Sequence, residues 1–171
     1  MKIVGMTLVT LLILPLAGWS KDINLFFIQR SKNTNEVQYQ LRVDDHCRII
    51  SHHPVSAFWQ LREESPEKTK PLTELDQLAY GVVRQRVDEN GVVFRLRALE
   101  EKPIKATATY NPHTGTCSPS VHVEMNDQWV ALERIYVQTE ERRFRPKVTY
   151  IDLFGTSMAD SPIQMSERIT P

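Results

Sequence analysis

Residues 36–43 alternate without a break: Val37, Tyr39, Leu41 and Val43 are apolar, and Glu36, Gln38, Gln40 and Arg42 between them are polar. Period two with β-branched and aromatic residues fits a half-buried strand and does not fit a helix, whose faces recur every 3.6 residues. Leu25-Phe26-Phe27-Ile28 precedes it as a continuous apolar run, and Ser31 to Asn35 between them is polar with two asparagines. This reads as a hairpin over residues 23–44.

The same logic continues along the chain. Val82–Val87 and Val92–Ala98 flank Asp88-Glu89-Asn90-Gly91, and Asn-Gly supplies the backbone freedom a tight hairpin needs. Pairing Val87 with Val92 puts Val83, Gln85, Val87, Val92, Phe94 and Leu96 on one face. Further strands are expected at 55–62, 104–110, 121–125, 129–139 and 147–154, the last ended by Gly155. One short helix is expected at Glu74–Tyr80, with Thr73 as N-cap, acids in the first turn and Gly81 as stop. Residues 156–171 lose periodicity and are expected to fray. Eight or nine strands joined by hairpins predict a mainly β, antiparallel domain. An up-and-down β-barrel is preferred to a sandwich, because closure hides sheet edges.

The N-terminus has a different character. Lys2 is followed by an uncharged, mainly apolar stretch to Ala17, then by small residues flanking Trp19. This is the pattern of a secretory signal peptide, with cleavage expected after Ser20 or Gly18. An uncleaved membrane anchor is the rival reading. It is disfavoured because the apolar run is about 15 residues and a span needs roughly 20. The expected products are a signal peptide at 1–20, one β-rich domain at 21–155 and a tail at 156–171. That places the mature protein in the periplasm or outside the cell, with no transmembrane segment.

Without the first twenty residues about 150 remain, enough for one domain with a core. The whole chain carries 21 basic and 21 acidic residues, so nothing global draws it to nucleic acid. Two cysteines, Cys47 and Cys117, both fall in the exported part, where pairing is expected.

Three stretches carry a family resemblance. They are Leu25 through Tyr39, His53-Pro54-Val55-Ser56-Ala57-Phe58-Trp59, and Pro71-Leu72-Thr73 through Tyr80-Gly81-Val82. In that order they resemble a family of uncharacterised exported bacterial proteins known only as a domain of unknown function. The resemblance implies export and a single domain. It implies no activity, substrate or cofactor.

Four groups of residues are candidates for a site. Arg30, Lys32, Asn33 and Asn35 offer cations and amide donors suited to an anionic ligand, or simply make a well-capped turn. Trp59 with Phe58 and Tyr80 could line a pocket or belong to the core. Arg84, Arg86, Arg95 and Arg97 share one face. That face is an anion-binding wall, or a solvated surface screened by acids such as Glu100 or Glu124. His46, His52 and His53 near Asp44, Asp45 and Cys47 are weak metal candidates, since their spacing fits no standard zinc pattern. The chain lacks a Gly-x-Ser-x-Gly elbow, a His-Glu-x-x-His helix and a Gly-rich phosphate loop. The expectation is a non-enzymatic module, without cofactor, that binds a small polar, anionic or lipid-like ligand. An envelope interaction or assembly module is the alternative, and a hydrolase or metal-dependent enzyme the second alternative.

Overall fold

The computed structural model describes residues 20–31, 33–140 and 147–170. The expected signal peptide therefore lies almost wholly outside the described residues. Eleven strands and one helix follow in chain order. The first five elements are β1 (Lys21–Arg30), β2 (Asn33–Val43), β3 (Val55–Gln60), β4 (Thr69–Pro71) and α1 (Glu74–Tyr80). Next come β5 (Val82–Asp88), β6 (Gly91–Leu96), β7 (Leu99–Asn111) and β8 (Thr116–Met125). The last three are β9 (Gln128–Glu140), β10 (Lys147–Ser157) and β11 (Gln164–Ile169).

The alternating segments become strands as their periodicity dictates, and the fold is mainly β and dominated by antiparallel pairs. The order along the main path is β4-β3-β2-β1-β9-β8-β7-β6-β5, with β10 on β9 and β11 on β10. One pair is parallel: β1 against β9, with Ile28 opposite Ile135 and Arg30 opposite Val137. Its end is fastened by Ser31, whose N–H donates to the Val137 carbonyl (3.0 Å) and whose Oγ accepts from the Thr139 N–H (2.9 Å).

Strand β9 divides the sheet. Its first residues, Gln128–Ala131, pair with β8, and Arg134–Val137 pair with β1. Its other edge runs along β10 from Val130 to Glu140. Two arms therefore leave β9, one through β1 to β4 and one through β8 to β5. Both enclose the same core. Phe26 stacks on Tyr39 at 4.6 Å and faces Phe94 of the other arm at 6.4 Å, and all three are buried.

The backbone ladder does not close into the barrel preferred from sequence. Where β3 of one arm meets β5 of the other, a side chain spans the gap. Val55 N–H donates to Gln85 Oε1 (2.9 Å), and Gln85 Nε2 donates to the Val55 carbonyl (3.0 Å). Because Arg42 N–H already bonds the Pro54 carbonyl, the next residue in the ladder, Val55, turns its own polar groups outward. The disulfide Cys47–Cys117, as expected from the sequence, fastens the arms elsewhere, with Cα atoms 5.6 Å apart. Cys47 adopts φ 65° in a loop built on Asp44, whose carboxylate accepts from the His46 and Arg48 N–H groups (2.8 and 2.9 Å).

Several expectations need correction. The expected fraying of 156–171 is not seen in the described residues up to 170: Thr156 and Ser157 complete β10, and Gln164–Ile169 form β11. The signal is weak because only Met165 and Ile169 of β11 pack against the core, and the rest of its length is held by the ladder to β10 and by charged side chains. Glu167 bonds Lys102 (2.7 Å), and Arg168 bonds Asp152 through two contacts (2.7 and 2.8 Å). Gly155 does not end β10. It sits at a register shift where a Cβ would collide with the Ala131 carbonyl, so the missing side chain allows close strand approach. In the 82–98 hairpin Val87 does face Val92, but a bulge between Val83 and Arg86, with Arg84 at φ 53°, shifts the far end. Val82, not Val83, then pairs with Leu96. The helix forms as expected: Thr73 Oγ1 accepts from the Asp76 N–H, and Asp76 accepts from the Thr73 N–H, making a capping box.

Candidate functional site

Arg30 is the last residue of β1. Ile28 and Phe26, two and four positions earlier, are 1% and 2% exposed, so period two carries Arg30 to the inner face. There its guanidinium lies 5.8 Å from the ring centroids of both Trp59 and Tyr80. The rings meet edge to face at 5.7 Å, and both residues are buried. A cation this close to two ring faces is attracted by their quadrupoles. Arg30 Nε is nonetheless buried and has no hydrogen-bond partner among the described residues. Buried donors are nearly always satisfied, so an orphan here calls for an explanation.

Three elements hold the cluster: β1 carries Arg30, β3 carries Trp59 and α1 carries Tyr80. Tyr39 anchors the helix end, its hydroxyl donating to the Tyr80 carbonyl at 2.7 Å from a fully buried position. Burial raises the Tyr39 phenol well above its usual pKa. Burial also raises Tyr80, against the pull of the Arg30 charge. Asp76 is the anion of the neighbourhood. Desolvation pushes its pKa up, but hydrogen bonds from the Thr73 hydroxyl and from Trp59, the Thr73 N–H and the Arg30 charge together hold it below the ordinary range. Sequence reading misses Asp76 as a site residue because its place in the first turn of the helix explains it fully.

The other candidates are placed as follows. Lys32 lies outside the described residues. Asn33 Oδ1 accepts from the Asn35 N–H (2.9 Å), and Asn35 Oδ1 accepts from the Glu63 N–H (3.3 Å). Both asparagines thus serve the turn and the neighbouring loop. Three of the four arginines gather around Glu100, while Arg86 pairs with Val93 in the β5–β6 ladder. The Glu100 carboxylate meets Arg97 at 3.2 Å and Arg84 at 3.6 Å, and its carbonyl accepts from Arg95. The Val87–Val92 register alone would put Arg84 opposite Arg95; with the bulge, Arg95 faces Val83 instead, and the like charges are not directly paired. Among the described residues no three His, Cys, Asp or Glu side chains gather as metal ligands. Cys47 is in the disulfide, and the His46 ring lies 5.8 Å from that of Tyr110.

Two clefts bear on binding. The larger, about 430 Å³, lies by the disulfide, with His46, Arg48, Asp88 and Glu89 among its lining. Its charges are mixed, and no buried orphan group faces it among the described residues. The other, about 310 Å³, borders the Arg30 cluster through Tyr80 and is lined by apolar side chains including Val137, Val148 and Ile151.

A β-rich sheet folds in two arms over one core, and Arg30 stands half-buried at its margin with its Nε shielded from solvent. By sequence the chain belongs to the family described as a domain of unknown function, DUF4833, whose model matches residues 26–168. Comparison with curated proteins and with solved structures finds no match.

Proposed function

We propose that this chain is a non-enzymatic binding module for a small anionic ligand, held at Arg30 between Trp59 and Tyr80. The observation that carries the reading is the buried Arg30 Nε, which has no partner among the described residues. A guanidinium is a fork of fixed donors, and its natural complement is a carboxylate or similar oxyanion. The two rings fix the fork in place before a ligand arrives, which lowers the ordering cost of binding. The enclosure is read as barrel-like, with the Gln85 carboxamide sealing the seam between the arms. The chain is read as exported, with residues 1–20 removed as a signal peptide. The disulfide supports that compartment, since such bonds persist in oxidising surroundings. Among the described residues no helix is long and apolar enough to cross a membrane.

Nuclear magnetic resonance of the arginine Nε–Hε group tests the site. The Arg30 signal, identified by its loss in Arg30→Gln, is expected to move downfield as sodium acetate is added. Asp76→Asn, which removes the opposing charge, is expected to lower the acetate concentration needed. A signal that stays fixed to high millimolar acetate, in both proteins, overturns the reading.

A further inference from the structure

Strand register relates Arg30 to the apolar cleft, whose lining includes its neighbour Tyr80. Arg30 pairs with Val137 across the parallel β1–β9 ladder, and Val137 pairs with Ile151 across β9–β10. Directly paired residues project to the same face, so Arg30, Val137 and Ile151 stand in a row. Val137 and Ile151 are walls of the 310 Å³ cleft. Tyr80 is common to the two: its ring centroid lies 5.8 Å from the Arg30 guanidinium, and Tyr80 is among the residues that line the cleft. Leu78, 66% exposed, stands at the cleft's edge as an uncovered apolar side chain.

We infer that the ligand is an amphipathic monoanion, a carboxylate bound at Arg30 with an aliphatic chain laid in the cleft beyond Tyr80. The inference rests on the anion-site reading above and adds the tail. Each half of the site argues against the simpler ligands. A small inorganic anion would satisfy Arg30 but leave a cleft of valine, isoleucine, leucine and alanine walls facing water, which has few polar partners there. A neutral hydrocarbon would fill the cleft but leave the Nε unpaired. The charge is single because the site offers one arginine, and Asp76 nearby already carries a negative charge that a dianion would have to oppose. A cleft of this size lies at the lower end of the usual ligand range, about 300–1,000 Å³, which fits a short chain and excludes a two-chain lipid.

Calorimetric titration of the oxidised full domain with sodium acetate, hexanoate, octanoate and decanoate tests this, with decanol as the neutral probe. Affinity is expected to rise roughly fourfold per added methylene until the cleft is full, as burial of each CH₂ predicts. Arg30→Gln is expected to weaken decanoate at least tenfold and to leave decanol unchanged. Ala98→Leu, which narrows the cleft, is expected to flatten the chain-length series while acetate still shifts the Arg30 signal. Acetate acting at Arg30 with no gain along the series overturns the amphipathic ligand and leaves the anion site standing. Decanol binding as tightly as decanoate, with Arg30→Gln silent, overturns both. Should Arg30→Gln fail to fold, Asp76→Asn replaces it, and an unchanged ratio of decanoate to decanol affinity counts against the inference.

Discussion

The carboxamide of Gln85 pairs with both backbone polar groups of Val55, doing across the seam between the arms what a strand's main chain would do in a closed sheet. One side chain thereby satisfies an N–H and a C=O that no strand reaches. Val55 itself is buried, so water is a poor substitute. Gln85→Ala should cost about 1–3 kcal/mol, the penalty for leaving buried polar groups unmet. Gln85→Glu should cost nearly as much, since a carboxylate can accept from the Val55 N–H but cannot donate to its carbonyl. Urea midpoints of the two variants against the parent read this directly. A Glu variant as stable as the parent would show that the donated bond carries nothing.

The disulfide joins residues 70 apart in sequence. Restricting an unfolded loop of that length is worth about 4 kcal/mol on the chain-entropy model. The double variant Cys47→Ser/Cys117→Ser should lose stability of that order in guanidinium unfolding while keeping its far-ultraviolet circular dichroism. A loss below about 1 kcal/mol would assign the bond a local role at the Asp44 loop.

Gly155 admits no side chain where β10 crowds the Ala131 carbonyl. Gly155→Ala should destabilise by about 1–3 kcal/mol, the usual range for overpacking. Thermal unfolding is a sufficient measurement, and an unchanged midpoint would mean the strands separate freely there.

The acid limb of stability should be set by three carboxylates. Asp152 is lowered first by its hydrogen bonds from Arg168, and Asp44 first by the Arg48 backbone N–H. In Asp76 the bonds from Thr73 and Trp59 outweigh desolvation. A carboxyl whose folded pKa lies below its unfolded value stabilises the fold above that unfolded value, and the contribution is lost as pH falls through the folded pKa. Denaturation midpoints should therefore stay level from neutral pH to about 5 and decline below about 4, the ordinary Asp value. Asp152→Asn should make the decline shallower. A midpoint that holds down to pH 3 would contradict this account.

The strands were legible because period two survives translation into burial: Val37, Tyr39, Leu41 and Val43 are all fully buried. What stayed hidden depends on long-range partners. The hairpins imply antiparallel neighbours, and nothing in residues 27–30 announces a parallel partner at 134–137. The bulge at Arg84 has no glycine to mark it. Strand β11 reads as a tail because only Met165 and Ile169 mark its inner face, and its ladder partner β10 is not visible from residues 164–169 alone. Arg30 sits two positions beyond Ile28, so its inward phase was available. Grouping it by composition with Lys32, Asn33 and Asn35 obscures that phase and ties a core-facing arginine to an outward turn. Trp59 and Tyr80 were visible as aromatic residues, but their shared position around one cation depends on the path of α1.

The parallel β1–β9 pair also governs timing. Ser31 and Thr139, which clamp its end, are 108 residues apart in the chain. A polypeptide released N-terminus first can form the β1–β2 hairpin early, while the outer edge of Phe27–Arg30 waits for most of the chain to follow. Such distant pairing is slow, and an open apolar edge invites association with other chains meanwhile. Arg30 is thus among the first residues to emerge, and the strand that completes its surroundings is among the last.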